Sequence, residues 1–188
     1  MDLAEHQRKL LGLIRDTYMV SPDDDAYIRR VAASRDLQEA RRNVFLWRVY
    51  VLERTCVLTF RLLRQWGLLS DVLSAFIARH NISPFRETQA PALLKTLCRH
   101  PDELISAVAR FELALMKVRE GDPATYVVFW NVEPHGVLNS LARDLPVDRP
   151  VPEGRYAVRI SRDVPGLFEI ESLEGPRASP QARSAGLA

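Results

Sequence analysis

Lysine is nearly missing from this chain: it stands only at positions 9, 95 and 117, so almost all positive charge is carried by arginine. Cysteine is as sparse, with Cys56 and Cys98 alone and no CxxC pair. That excludes a disulfide framework, and both residues sit in apolar helical patterns where a thiol acts as a small hydrophobe. Glycine numbers only 8, and no GxGxxG, P-loop or GxSxG is present, so nucleotide-binding and serine-hydrolase readings have no motif. The four histidines, His6, His80, His100 and His135, form no HExxH and share no helix face with a second ligand, so they read as polar surface or helix-end residues. No apolar run reaches the ~20 uncharged residues of a membrane span. A net charge of +2 does not describe a general nucleic-acid binder. The first residues, MDLAEHQRKLLGLIRD, are charged throughout and unlike a signal peptide. A cytoplasmic protein is the simplest reading.

What the chain does have is one long uninterrupted stretch, Ser34 to Trp66. Ser34 reads as its N-cap and Gly67 as the residue past its C-terminus. As a single helix it would run about 48 Å at ~1.5 Å per residue. Leu37, Ala40, Val44, Val51, Leu58, Leu62 and Trp66 form one stripe, and between Val44 and Leu63 the other faces are apolar too. A helix apolar all round must be wrapped by others, so this is the expected centre of a helical domain.

Other helices fall into place around it. Leu3, Leu10, Leu11, Ile14 and Tyr18 make an amphipathic first helix. Ser21-Pro22-Asp23-Asp24 reads as a helix start, with a cap, a proline and acids at the dipole's positive end. A helix through Leu69, Val72, Leu73, Phe76 and Ile77 ends at His80-Asn81. Ser83-Pro84 starts another, Pro91 interrupts it, and His100-Pro101-Asp102 leads into DELISAVARFELALMKVRE, which Gly121-Asp122-Pro123 ends. Six or seven helices are expected before residue 121. Beyond it, YVVFW (126–130) reads as a buried, central strand. A short helix follows at Gly136–Arg143. Arg155–Ser161 and Leu167–Ser172 alternate as a hairpin, with Tyr156, Val158, Ile160, Phe168 and Ile170 inward. The expected fold is α+β: a helical bundle domain over 1–121, a small α/β domain with a hairpin sheet over 122–174, and a disordered tail over 175–188. A module near 50 residues is marginal as an independent core, so it should pack on the bundle.

Arg48, Glu53, Arg110 and Glu112 lie within strongly apolar helices. Buried charges need partners. Either they pair inside the bundle and set its register, or Arg48 or Arg110 lines a cleft and holds a carboxylate of a peptide. The remaining arginines point in several directions with acids between them, which describes a solvated face; their use on DNA by a regulatory helical protein is the alternative. The joint His80-Asn81-Ile82-Ser83-Pro84-Phe85 is either a local cap or a loop that reaches a partner. The hairpin must have an edge, which can accept an extended peptide unless Glu169 and Glu171 guard it.

Three segments together, WRVYVLERTC, VARFELALMKVREGD and the module from VVFWNVEPHGVLNSLARDLP to GRYAVRISRDVPGLFEI, carry a family resemblance over roughly residues 8–173. The chain resembles the partner subunits of multinuclear non-haem-iron oxidases in ribosomal-peptide modification, as in methanobactin and 3-thiaglutamate biosynthesis. The resemblance implies a subunit that is not itself an enzyme and holds no cofactor. Iron would reside in a separate TIM-barrel oxidase, and this subunit would present to it a cysteine-containing precursor peptide whose leader adds to the small sheet. On that reading Arg155, Arg159, Phe168, Glu169, Ile170 and Glu171, with Arg48 and Arg110, are the candidate peptide contacts. His80, Asn81, Ser83, Pro84 and Phe85 are the candidate contacts to the oxidase. Neither a membrane nor nucleic acid is an expected partner.

Overall fold

Side-chain caps at Asp25, Ser34, Asp102 and Glu133 open four helices in the computed structural model, which describes residues 2–80, 85–148 and 150–173. Among these are α1 (Leu3–Ile14), α2 (Ala26–Ala32), α3 (Arg35–Thr55), α4 (Val57–Gln65), α5 (Leu69–Arg79), α6 (Arg86–Leu97) and α7 (Glu103–Glu120). The strand β1 (Tyr126–Val132), helix α8 (Pro134–Ala142) and strands β2 (Glu153–Ile160) and β3 (Phe168–Ser172) follow. The protein is α+β, with a three-stranded antiparallel sheet at its C-terminal end. The tail expected to be disordered lies outside the described residues.

The stretch 34–66 begins and ends as its sequence predicts. Ser34 Oγ accepts from the Leu37 amide at 3.2 Å. Gly67 takes a left-handed φ of 70°, which lets the Leu68 amide reach back to the Leu63 carbonyl at 2.9 Å. Its middle differs from expectation: it is two helices, broken at Cys56, whose φ and ψ are −105° and 55°. No glycine or proline marks the break. The Thr55 hydroxyl bonds back to the Val51 carbonyl at 2.7 Å, a contact that bends helices. Cys56 itself is fully buried. The bend lets one apolar stretch bury two faces, with Leu52 on α3 and Phe60, Leu62 and Leu63 on α4 all buried.

Two further boundaries move. Helix α2 starts at Ala26 with Asp25 as its cap, not at Ser21-Pro22, because the Asp24 carboxylate is used elsewhere. It accepts from Lys9 Nζ at 2.8 Å, Tyr18 Oη at 2.6 Å and the Ser21 amide at 2.7 Å. This clasp closes the α1–α2 loop beside a small core of Leu13, Ile28 and Leu37. Pro91 does not interrupt α6 but lies inside it, at the cost of one ladder hydrogen bond.

The clasp makes a pH prediction. The Lys9 ammonium, then the Tyr18 hydroxyl and the Ser21 amide, lower the Asp24 pKa from 3.8 to about 2. A depressed carboxylate contributes stability that is present above its unfolded pKa and lost as pH falls through the folded one. Asp24→Asn should therefore melt below the wild type at neutral pH. The gap should close as pH falls from 3.8 toward about 2; parallel melting curves at every pH would contradict the clasp.

The chain divides into two compact units, Met1–Leu93 and Leu94–Ala188. That boundary falls inside α6, whereas a boundary at 121 was expected. The reason is that α7 packs on β1 and β2, supplying the layer that a 50-residue sheet module lacks. Phe111 of α7 meets Phe168 of β3 edge to face at 5.1 Å. Arg162 Nε donates to the Val118 carbonyl at 3.2 Å, and the Tyr126 hydroxyl donates to Asp122 at 2.5 Å.

Candidate functional site

Strand order in the sheet is β1-β2-β3, so β2 is central and β1 and β3 are the edges. The YVVFW segment was expected to be central and fully buried; it is instead an edge strand with one open face. Cross-strand register puts Tyr126, Ile160 and Phe168 in one row and Val128, Val158 and Ile170 in the next. These rows make the inner face, with Val128, Val158 and Ile160 buried. The outer face alternates with it. Val127, Arg159 and Glu169 form one row, and Phe129, Ala157 and Glu171 the other.

Two of the peptide contacts anticipated on the hairpin lie on the inward face that the alternation assigns them. Phe168 and Ile170 point inward and are half-buried, so they hold the sheet on α7 and cannot share a surface with Glu169 and Glu171. Arg155, Arg159, Glu169 and Glu171 are exposed on the outer side, as their alternation predicts. Arg159 Nε donates to Glu169 at 2.5 Å, and that carboxylate raises the Arg159 pKa. The Arg155 carbonyl accepts from the Leu173 amide at 2.8 Å, extending the ladder one residue past β3.

The residues that sequence reasoning passed over are Val127 and Phe129. They are 51% and 67% exposed on the outer face of β1. Their signal was the period-two alternation of YVVFWNV, hidden because both faces carry apolar residues. The two edges differ chemically. Strand β3 offers Glu169 and Glu171, the kind of charge that blocks pairing with another strand. The outer face of β1 offers Val127 and Phe129, with no charge; past Trp130 the register shifts, and Asn131 donates to Glu103 of α7. Behind this edge, Trp130 is buried at 3% exposure, and its Nε1 has no hydrogen-bond partner among the described residues.

Arg48 and Arg110 belong to different units and are engaged with main-chain oxygens. Arg48 is 7% exposed. It donates to Gln89 Oε1 at 3.3 Å and to the Ile77 and His80 carbonyls at 3.5 and 3.2 Å. Burial, and after it the charge of Arg15, pushes its pKa down. Arg110 forks onto the Cys98 carbonyl at 3.3 and 3.1 Å, where Ser106 also donates. Burial raises the Cys98 pKa. Of the other two charges noted in apolar helices, Glu53 is exposed and pairs with Arg64; Glu112 is buried in α7. An apolar groove of about 520 Å³ lies along α1, α2 and α3, flanked by Arg30 and Asp36; neither Arg48 nor Arg110 lines it.

Of the joint anticipated as an oxidase contact, Asn81, Ser83 and Pro84 lie outside the described residues. His80 ends α5, stacks on Phe76 at 4.6 Å and places Nδ1 3.1 Å from the Phe76 carbonyl. Phe85 is 69% exposed. Among the described residues, no three His, Cys, Asp or Glu side chains gather as metal ligands, and no helix is long and apolar enough to cross a membrane.

No family model matches the chain, no curated protein matches it, and no solved structure matches it.

Proposed function

We propose that this protein is a non-catalytic partner subunit that binds a ribosomally made, cysteine-containing precursor peptide. It would present that peptide to a separate iron-dependent TIM-barrel oxidase in the cytoplasm. The observation that carries the reading is the β1 edge: a strand that pairs, among the described residues, with β2 alone and is regular from Tyr126 to Trp130, where its outer face bears exposed Val127 and Phe129 and no charge. An extended peptide added there gains main-chain hydrogen bonds along the strand. Alternate side chains of the peptide then lie beside Val127 and Phe129 and supply selectivity. The charged β3 edge, favoured by the sequence pattern alone, is the poorer acceptor.

The test is a titration of the full chain into fluorescein-labelled leader segments of cysteine-containing precursor peptides, read by fluorescence anisotropy. Phe129→Lys should weaken binding by about tenfold or more, the scale of a lost anchor side chain. Glu171→Lys, on the opposite edge, should change it by less than about twofold, since rim charges contribute little. The wild type should also co-elute with the barrel oxidase. Loss of affinity in Glu171→Lys but not in Phe129→Lys would move the peptide to β3. A chain that ignores both leader and oxidase, yet binds duplex DNA with a steep salt dependence, would replace the reading with a regulatory one.

A further inference from the structure

Helix α3 has a second face that its packing does not use. At ~100° per residue, Glu39, Asn43, Leu46, Trp47, Tyr50 and Arg54 fall within an arc of about 100°. All six are exposed, with Leu46, Trp47 and Tyr50 at 51%, 56% and 46%. The row is rigid. Trp47 and Tyr50 stack at 5.6 Å with planes 29° apart, and the Arg54 guanidinium lies 5.0 Å from the centre of the Tyr50 ring. Apart from that ring contact, Glu39 and Arg54 make no ion pair, and Asn43 and the Tyr50 hydroxyl no side-chain hydrogen bond, among the described residues. Glu53, at the margin of the face, is already paired with Arg64.

The order along the helix is acid, amide, apolar, aromatic, base, and it is symmetric. Glu39 and Arg54 stand equally far from the Leu46–Trp47 peptide bond, about 11 Å along the axis in each direction. Asn43 and Tyr50 are likewise equidistant from it. Two copies laid antiparallel with a two-fold axis at that bond would place Glu39 of each against Arg54 of the other. Asn43 would meet Tyr50, while Leu46 and Trp47, on opposite margins of the arc and beside the axis, would each meet its own twin. Each polar group then finds its complement twice, as an isologous interface requires.

We propose that this face of α3 is a self-association surface on which a second copy of the chain pairs antiparallel. The interlocked rings lose little freedom on binding, and Trp, Tyr and Arg are the side chains that dominate interface energetics. A single-stranded nucleic acid, which also favours aromatic–arginine rows, is the poorer occupant. The Tyr50 ring is already engaged by Trp47 and by Arg54, and Glu39 on the same face repels a phosphate backbone.

Sedimentation velocity of the full chain, from low- to high-micromolar concentration, tests this directly. The wild type should pass from monomer to dimer, and Trp47→Glu should stay monomeric. Glu39→Arg alone and Arg54→Glu alone should each dimerise at least about tenfold more weakly, because each sets like charges face to face twice. Mixed one to one, these two variants should form a heterodimer in which both pairs are again opposite in sign. The doubly exchanged chain should dimerise like the wild type. Circular dichroism checks that all variants remain folded. A wild type that is monomeric throughout, a dimer indifferent to Trp47→Glu, or single variants that gain nothing on mixing would each overturn the proposal. Oligonucleotide binding by a monomeric wild type, lost in Trp47→Glu, would overturn it in favour of nucleic acid.

Discussion

Phe111→Ala should destabilise the C-terminal unit by about 3–5 kcal/mol, the range for deleting a buried aromatic ring. Phe111 is 2% exposed and lies on α7, which packs against both β1 and β2. Its ring meets Phe168 at 5.1 Å and 88°, an edge-to-face pair worth a further ~0.5–1.5 kcal/mol beyond area burial. The cavity would open on the inner face of a three-stranded sheet, which cannot collapse to refill it without breaking register. Denaturant unfolding followed by far-ultraviolet circular dichroism measures the loss. A cost below about 1 kcal/mol would mean that the sheet is held chiefly by its own ladder, against the expectation for so small a sheet.

That contact also marks how far the sequence could be read. Caps were legible because their hydrogen bonds are local: Ser34, Asp102 and Gly121 act where the sequence places them. At Gly121 a left-handed φ of 113° ends α7 as the Gly-Asp-Pro run predicts. The hairpin was legible because polar and apolar residues alternate in β2 and β3, and the observed register keeps that alternation. The break at Cys56 was not legible. LERTCVLTF contains only residues that helices tolerate, and its sequence does not announce that the Thr55 hydroxyl bonds back to the Val51 carbonyl. Nor was the status of β1: an apolar run suits a central strand buried on both faces and an edge strand with one sticky face equally well. The candidate site suffers directly, since the same pattern makes Val127 and Phe129 read as core. Asp24 shows the reverse error. It looked like a helix-start acid because Ser-Pro-Asp-Asp is a strong local signal, but Lys9, fifteen residues upstream, claims its carboxylate.

Arg48→Met should cost about 2–3 kcal/mol of stability, the scale for leaving buried acceptors without donors. The substitution keeps most of the side chain's volume and removes a desolvated charge, which by itself would be neutral or stabilising. The Ile77 and His80 carbonyls, however, lose the guanidinium at once, and Gln89 Oε1 loses its bond to it. The two carbonyls belong to the last turn and cap of α5, where a cation also complements the helix dipole. Gln89, fully buried, donates in return to the Arg48 carbonyl at 3.4 Å, so one guanidinium connects α3, the end of α5 and α6. Arg48→Lys should recover only part of the loss, because an ammonium is a point charge without the planar fork that reaches separated acceptors. Thermal melts of both variants, beside leader titrations, separate the two roles open to this residue. A large stability loss with unchanged leader affinity assigns Arg48 to the register of the bundle. Unchanged stability with lost affinity would make it a ligand for a peptide carboxylate and would contradict the hydrogen bonds that hold it.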